Sequence, residues 1–574
     1  MDYMENYKKW CEDPYFDEAT KQELKAIAND DNEIKERFYR DLSFGTGGLR
    51  GIIGAGTNRM NAYTVRRATQ GLANFIKKEH AEAKGVAIAY DSRRMSIEFS
   101  EEAALCLCAN GIKAYRFESL RPTPELSFAL RELGCTAGIV VTASHNPAEY
   151  NGYKVYWEDG AQITAPKDEL IINEVNSISD FSTVKTMSRL DAIKAGLYFT
   201  IGKEIDDRYM EELKKLSLSP ELIKAHADDL TVVYTPLHGT GNLPVRRVLK
   251  ELGFNKVFVV PEQEIPNGDF PTVPYPNPED PKAFALALKL AKEKKADVVL
   301  ATDPDADRLG VYSYDKATDD YVSFTGNMSG MLICEYLLER RKELGLIHDD
   351  GVLVKTIVST NMADKVAEAY GIELKEVLTG FKYIGEQIKL FEQTGKGHYE
   401  FGFEESYGCL VGTHARDKDA VVAVMMLAEA AVYYKTKGLS LWDQMQNIYK
   451  KYGYFREGLE TMTLKGIEGL EKIQQIMASL RANPIDNIGE YKVLKFRDYK
   501  NDVVIDKATG EKTKTGLPVS DVLYFDLNDD AWVCVRPSGT EPKLKFYAGV
   551  KGTSFEDADA KMTKLKADLT ALAK

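Results

Sequence analysis

Residues 137–147 read Ala137-Gly138-Ile139-Val140-Val141-Thr142-Ala143-Ser144-His145-Asn146-Pro147. The first five form an unbroken apolar run of strand length, which reads as a buried strand. The run ends at a serine beside a histidine, and Pro147 restricts Asn146 to an extended or turn shape. A hydroxyl at the C-terminal end of a buried strand lies where open α/β sheets bind their ligands. Taken alone, the segment reads equally well as a polar turn that closes a strand.

The sequence upstream sets the fold class. From Lys84 onward, a strand (Val86 to Tyr90), a helix (Ile97 to Asn110), a strand (Lys113 to Phe117) and a helix (Pro124 to Leu133) lead to the serine segment. That βαβα order predicts a largely parallel sheet flanked by helices. Residues 1–40 are charged and helical in pattern, an N-terminal extension. A second α/β unit begins near Thr231-Val232-Val233-Tyr234 and includes Pro261 to Pro281, a proline- and acid-rich stretch expected to be a long loop. A third runs from about Gly326 to a helix near Tyr449. A last one begins around Tyr454, with a helix over 466–482 and strands over 491–496 and 522–525. The boundaries read as 1–205, 206–322, 323–453 and 454–574, with no exact internal repeat.

Three more segments carry chemistry. Asp303-Pro304-Asp305-Ala306-Asp307-Arg308 follows the apolar run Val298-Val299-Leu300. Three carboxylates at i, i+2 and i+4 repel one another unless a cation lies among them, and hard oxygen ligands on a short loop suit Mg²⁺. Arg308 adds a fixed cation able to grip a phosphoryl group. An EF-hand is excluded, because Arg308 and Tyr314 stand where that loop needs glycine and glutamate. Arg536-Pro537-Ser538-Gly539-Thr540-Glu541-Pro542-Lys543 follows the strand-like Trp532 to Val535 and combines cations, hydroxyls and a glycine in a way that suits an oxyanion. Gly402-Phe403-Glu404-Glu405-Ser406-Tyr407-Gly408 suits sugar hydroxyls, acid/base chemistry or a plain surface turn equally.

Together, in this order, the four segments resemble the α-D-phosphohexomutase superfamily, with its phosphoserine, metal, sugar and phosphate loops. Phe44-Gly45-Thr46-Gly47-Gly48-Leu49-Arg50-Gly51 resembles the N-terminal active-site segment of that family. This opening, the Phe-Glu-Glu-Ser sugar loop and the length are similar to the phosphoglucomutase/phosphopentomutase branch. Two departures, Phe403 where many relatives have glycine and Gly408 where bacterial phosphomannomutases tend to have histidine, weigh against mannose.

The resemblance implies three mixed α/β domains and a smaller C-terminal α+β domain around a central cleft. It implies interconversion of glucose 1-phosphate and glucose 6-phosphate through a phosphoserine and a glucose 1,6-bisphosphate intermediate, the bisphosphate also serving as activator. Phosphomannomutase, phosphopentomutase and sugar-bisphosphate synthase activities are the alternatives, with a non-catalytic sugar-phosphate binder further off. By the same resemblance Ser144 carries the phosphate and, with Asp303, Asp305 and Asp307, binds Mg²⁺. Lys154 and Lys418 are expected as acid/base groups, Arg50 as a charge stabiliser and His145 as the residue that orients the serine loop. Thr379, Gly380, Glu404, Ser406 and Arg308 are expected to contact substrate, and Arg536, Ser538, Gly539, Thr540 and Lys543 to hold its phosphate.

Competing readings fit less of the chain. A haloacid-dehalogenase-type phosphatase accounts for Asp303-x-Asp305 but leaves Ser144 unexplained. The Gly-x-Ser-x-Gly elbow of a serine hydrolase is absent around Ser144. Gly45-Thr46-Gly47-Gly48 lacks the Gly-Lys-Ser/Thr of a nucleotide loop.

Bulk properties agree. A net charge of −13 over 574 residues argues against a nucleic-acid partner and requires local basic groups for an anionic substrate. Seven cysteines without metal spacing suit a reduced cytoplasmic protein, and Cys106-x-Cys108 reads as packing. The charged start lacks a signal-peptide core, and the apolar stretch 420–434, interrupted by Glu429, reads as a buried helix. No membrane partner is expected, and the protein is expected as a monomer or homodimer.

Overall fold

The apolar run Ala137–Val141 is a strand with every residue buried. The computed structural model describes residues 2–45, 47–464, 466–483, 485–538 and 543–572. The first sheet contains β1 (Gly48–Ile52), β2 (Val86–Tyr90), β3 (Ala114–Phe117), β4 (Ala137–Val141), β5 (Tyr150–Trp157) and β6 (Tyr198–Ile201), in the order β1-β5-β4-β2-β3-β6. Pairs β2–β3, β2–β4 and β3–β6 are parallel, as the βαβα order requires. The other edge departs from that expectation: β5 runs antiparallel to both β4 and β1. The short loop 142–149 turns the chain straight back, which no crossover helix could do, and so brings Lys154 opposite Val140. Gly152 permits this packing, since a Cβ there would lie 2.5 Å from the Thr142 carbonyl oxygen and 2.9 Å from that of Leu49.

Beneath the strands, Val86, Ile88, Ile139 and Val141 pack with Leu72, Phe99 and Leu107 from the flanking helices. Each such side chain contributes roughly 1.5–3 kcal/mol by burial. The N-terminal extension is helical as expected, with helices Tyr3–Glu12, Glu18–Ala26 and Asp31–Phe38. Trp10 stacks on Phe16 at 4.1 Å, and both meet Tyr63 on the first long helix of the sheet domain.

The second sheet has β7 (Val232–Thr235), β8 (Val257–Val259), β9 (Val298–Thr302), β10 (Leu309–Asp315) and β11 (Asp320–Phe324), in the order β11-β10-β9-β7-β8. β9 delivers the aspartate loop and β10 leaves it antiparallel. The stretch 261–281 is mostly loop, as expected, after one helical turn at Pro261–Glu264. The apolar stretch near 420–434 forms the buried helix Ala420–Thr436. Among the described residues no helix is long and apolar enough to cross a membrane.

By contacts the chain divides into two units, one of residues 1–325, 385–395 and 406–440, the other of 326–384, 396–405 and 441–574. In the second unit, β12 (Gly351–Thr356) is flanked in parallel by β13 (Glu373–Val377) and β14 (His398–Glu404). Its C-terminal part is an antiparallel sheet in the order 454–463, 543–552, 532–537, 523–527, 491–498, 503–506, 512–513, with helices 466–482 and 555–572. Three mixed α/β domains and a C-terminal α+β domain make up the architecture.

Candidate active site

Ser144 sits at the end of β4 with φ of +51°, in the left-handed region. A residue with a Cβ is strained there by about 1–3 kcal/mol unless its surroundings hold it. They do. The Ser144 N–H donates to Thr142 Oγ1 at 2.8 Å, and that hydroxyl donates to Asp91 Oδ2 at 2.6 Å. Arg93 then grips the loop backbone. Its guanidinium donates to the carbonyls of Ser144 (2.5 Å), Pro147 (2.8 Å), Tyr150 (3.0 Å) and Asn146. It also lies 3.4 Å from the Asp91 carboxylate and 5.0 Å from the Phe270 ring. Burial pushes the Arg93 pKa down and that of Asp91 up, each opposed by the charge of its partner. The sequence reading missed this clamp. Its only local signal is Asp91-Ser92-Arg93 at the C-terminal end of β2, where ligand-facing groups gather.

The aspartate loop meets the serine directly. Ser144 Oγ donates to Asp303 Oδ2 at 2.6 Å, and the other Asp303 oxygen accepts the N–H groups of Asp307 (3.1 Å) and Arg308 (3.0 Å). Asp305 Oδ2 accepts the Thr123 hydroxyl and the Lys154 ammonium, both at 2.8 Å. Asp307 Oδ2 lies 3.5 Å from Lys154 Nζ and 3.2 Å from Lys418 Nζ. The Oδ1 atoms of Asp305 and Asp307 are buried without a hydrogen-bond partner. All three residues are buried and offer oxygens within 4.8 Å of one another.

Three buried carboxylates cannot coexist uncompensated. Burial and the charges of Asp305 and Asp307 raise the Asp303 pKa well above the usual range. Burial would raise Asp305 as well, but the adjacent Lys154 ammonium pulls it far below its ordinary value. Two orphaned oxygens, Asp303 and a hydroxyl form an all-oxygen donor set that fits a hard divalent cation.

The lysines flank this cluster from separate elements. Lys154 projects from β5, and Lys418 precedes the helix Ala420–Thr436. Burial lowers the Lys154 pKa, but Asp305 and Asp307 outweigh it and raise it overall. Lys418 is held 3.0 Å from Asp417 Oδ1, and Asp417 Oδ2 accepts the Tyr156 hydroxyl at 2.7 Å. Burial would raise the Asp417 pKa, but Lys418 and Lys154 pull it below the ordinary value. Gly408 lies against the Lys418 stem: a Cβ at 408 would fall 2.1 Å from Cδ. His145 Nδ1 lies 3.2 Å from Ser144 Oγ, and burial with nearby Arg308 and Arg50 holds its pKa well below 6.5. Arg50 is exposed on β1 and donates to Asn146 Oδ1 at 3.3 Å. Arg308 donates to Glu279 Oε1 at 2.5 Å, a partner from the 261–281 stretch that the sequence reading did not anticipate.

The remaining expected residues are described locally. Ser406 lies in the half-buried turn 405–407 after β14. In the second unit, Glu404 is buried at the end of β14, and neighbouring Glu405 accepts from Thr356 Oγ1 at 3.0 Å. Thr379 Oγ1 is buried without a hydrogen-bond partner, and Gly380 beside it has φ of +121°. Arg536 lies on the strand 532–537 and Lys543 opens the antiparallel strand 543–552, where Ser538 N donates to Lys543 O at 2.8 Å. Gly539 and Thr540 lie outside the described residues. All seven cysteines are unpaired, and burial pushes the Cys106 and Cys108 thiols up to about 12 and about 11, as expected of packing residues.

Comparison with known proteins agrees with this arrangement. Models of the phosphoglucomutase/phosphomannomutase family match four times in succession: α/β/α domain I over residues 41–181, domain II over 207–316, domain III over 325–452 and the C-terminal domain over 491–563. The chain belongs to this family. It is an enzyme of the isomerase class that acts by intramolecular phosphoryl transfer. A protein named phosphoglucomutase from Staphylococcus aureus (strain MRSA252) is 36% identical over 533 residues, 93% of this chain and 94% of that one. Two solved structures share the fold. One is the exocytosis-sensitive phosphoprotein pp63/parafusin (phosphoglucomutase) from Paramecium in its open form, with a TM-score of 0.67 at 18% identity, covering 93% of this chain and 95% of that one. The other is a phosphoglucomutase/phosphomannomutase family protein from Burkholderia thailandensis, with a TM-score of 0.63 at 18% identity, covering 92% and 97%.

Proposed function

We propose that the protein is an α-phosphoglucomutase that interconverts glucose 1-phosphate and glucose 6-phosphate. The observation that carries the chemistry is the contact of Ser144 Oγ with Asp303 inside a carboxylate cluster flanked by two lysines. The relative from Staphylococcus aureus, named phosphoglucomutase and similar over nearly the whole chain, supports glucose.

In this reading phosphoserine 144 gives its phosphoryl group to the sugar monophosphate. The resulting glucose 1,6-bisphosphate returns its other phosphoryl group to Ser144, and free bisphosphate recharges a serine that has lost its phosphate. Mg²⁺, held by Asp303, Asp305, Asp307 and the serine, supplies charge stabilisation to the transferring group when bound. Lys154 and Lys418 exchange protons with the sugar hydroxyls. Arg50 and Arg308 stabilise charge on the phosphoryl oxygens, and His145, kept neutral, steadies the serine loop. Thr379, Gly380, Glu404 and Ser406 contact the sugar, and Arg536, Ser538, Gly539, Thr540 and Lys543 hold its non-reacting phosphate. The aspartyl-phosphatase alternative is disfavoured because both Asp303 oxygens are already engaged, one by two N–H groups and the other by Ser144.

The test is kcat/KM with glucose 1-phosphate, mannose 1-phosphate and ribose 1-phosphate, each with its bisphosphate and Mg²⁺. The proposal expects glucose 1-phosphate to lead; a higher value for either of the others would reassign the substrate while leaving the mutase chemistry intact.

A further inference from the structure

Thr123 opens the helix Thr123–Glu132, between Pro122 and Pro124, and is fully buried. It touches the aspartate loop twice. Its N–H donates to the Asp305 carbonyl at 2.9 Å, and its hydroxyl donates to Asp305 Oδ2 at 2.8 Å. The backbone bond fixes where Asp305 starts, and the hydroxyl bond fixes how its carboxylate is turned. The consequence is an asymmetric carboxylate: Oδ2 is held, while Oδ1 is buried with no partner.

Lys154 reaches the same Oδ2 and is shared with Asp307, 3.5 Å away. A lysine on a flexible four-carbon stem acts as a point charge and follows the carboxylate. Thr123 is stiff by contrast. Its χ1 is restricted by β-branching, and the two prolines fix φ on either side of it. Two residues before Thr123, the Arg121 N–H donates to the Tyr90 carbonyl at 3.1 Å, and its guanidinium holds Asp206 with bonds of 2.7 and 2.8 Å. The first turn of a helix also presents partial positive charge, which favours an anion where Asp305 lies.

We infer that Thr123 is a positioning residue for the divalent cation: carried on a helix of the first sheet domain, it turns the free oxygen of Asp305, on the second, toward the ion. The inference rests on the metal reading proposed above. Outer partners that orient metal ligands typically change metal affinity about 10–100-fold when removed.

The experiment compares the parent, Thr123→Val, Thr123→Ser and Asp305→Asn as full-length, chelator-treated proteins. Mg²⁺ and Mn²⁺ are titrated by calorimetry, and melting temperature is recorded with and without Mg²⁺. Thr123→Val keeps the shape of the side chain and removes the donor. It is expected to weaken both ions about 10–100-fold and to shrink the Mg²⁺-induced rise in melting temperature. Thr123→Ser restores the parent affinity, and KM for glucose 1-phosphate at saturating Mg²⁺ is unchanged in both. If Thr123→Val melts too early without metal to be titrated, Thr123→Ala takes its place, with the same expectation. Parent-like affinity in a folded donor-less variant, or Thr123→Ser as weak as Thr123→Val, overturns the inference and leaves the metal reading standing. A parent that takes up neither ion, indistinguishable from Asp305→Asn, overturns both.

Discussion

Asp303 commits both carboxylate oxygens to the protein, whereas Asp305 and Asp307 each commit Oδ2 and keep a buried Oδ1 without a hydrogen-bond partner. Lys154 and Lys418 sit against the Oδ2 side of these two carboxylates. Lys154→Gln removes the ammonium nearest Asp305 and is expected to lower kcat about 10²–10⁴-fold, as loss of a general acid/base does. Steady-state rates at saturating Mg²⁺ check this, and an unchanged kcat would remove Lys154 from proton transfer. Gly408→Ala places a methyl 2.1 Å from Lys418 Cδ and displaces that side chain. It is expected to reduce kcat in the same assay, with no further loss when combined with Lys418→Met; an additive loss would contradict the displacement. Residue type and resemblance singled out Ser144, the three aspartates and both lysines, and the structure brings these six together. Thr123, Arg93, Asp91 and Glu279 were not singled out. They act through partners 182, 51, 51 and 29 positions away in the chain, and only the fold makes them neighbours.

Elements carry these residues, and two of them can be tested by stability. The serine loop depends on the buried Arg93–Asp91 pair. Arg93→Ala leaves Asp91 buried and four loop carbonyls without their donor, so a loss of about 3–5 kcal/mol is expected from urea unfolding. A loss under about 1 kcal/mol, the scale of an exposed pair, would show that the clamp is dispensable. On the helix Thr123–Glu132, Glu125 is fully buried, and burial, then the hydrogen bond and charge of Asp206, raise its pKa well above 4.5 despite Arg121 nearby. The folded chain therefore holds a proton that the unfolded chain releases. This contribution is complete below pH 4.5 and is lost as pH rises through the folded value. Melting temperature should fall more steeply for the parent than for Glu125→Gln between about pH 5 and pH 8, and equal slopes would contradict the assignment. Among the elements, the strand Val86–Tyr90 and the run Ala137–Val141 were legible because continuous apolar residues between turn signals leave few alternatives. The reversal into β5 was not, because Tyr150–Trp157 mixes Asn, Gly and Lys with aromatics and shows no clean alternation.

At the scale of the whole molecule, the order of the four loops identified the family before any geometry did, and the successive domain matches agree. Within a chain of net charge −13, Lys154, Lys418, Arg50 and Arg308 lie against the serine and aspartate loops. In the proposed reaction Ser144 stores the phosphoryl group. Intact mass and peptide mapping, before and after glucose 1,6-bisphosphate with Mg²⁺, test it most directly. One added phosphate is expected on Ser144, absent in Ser144→Ala and discharged by glucose 1-phosphate. A base-labile phosphate on Asp303, or no phosphate on either residue, would contradict it.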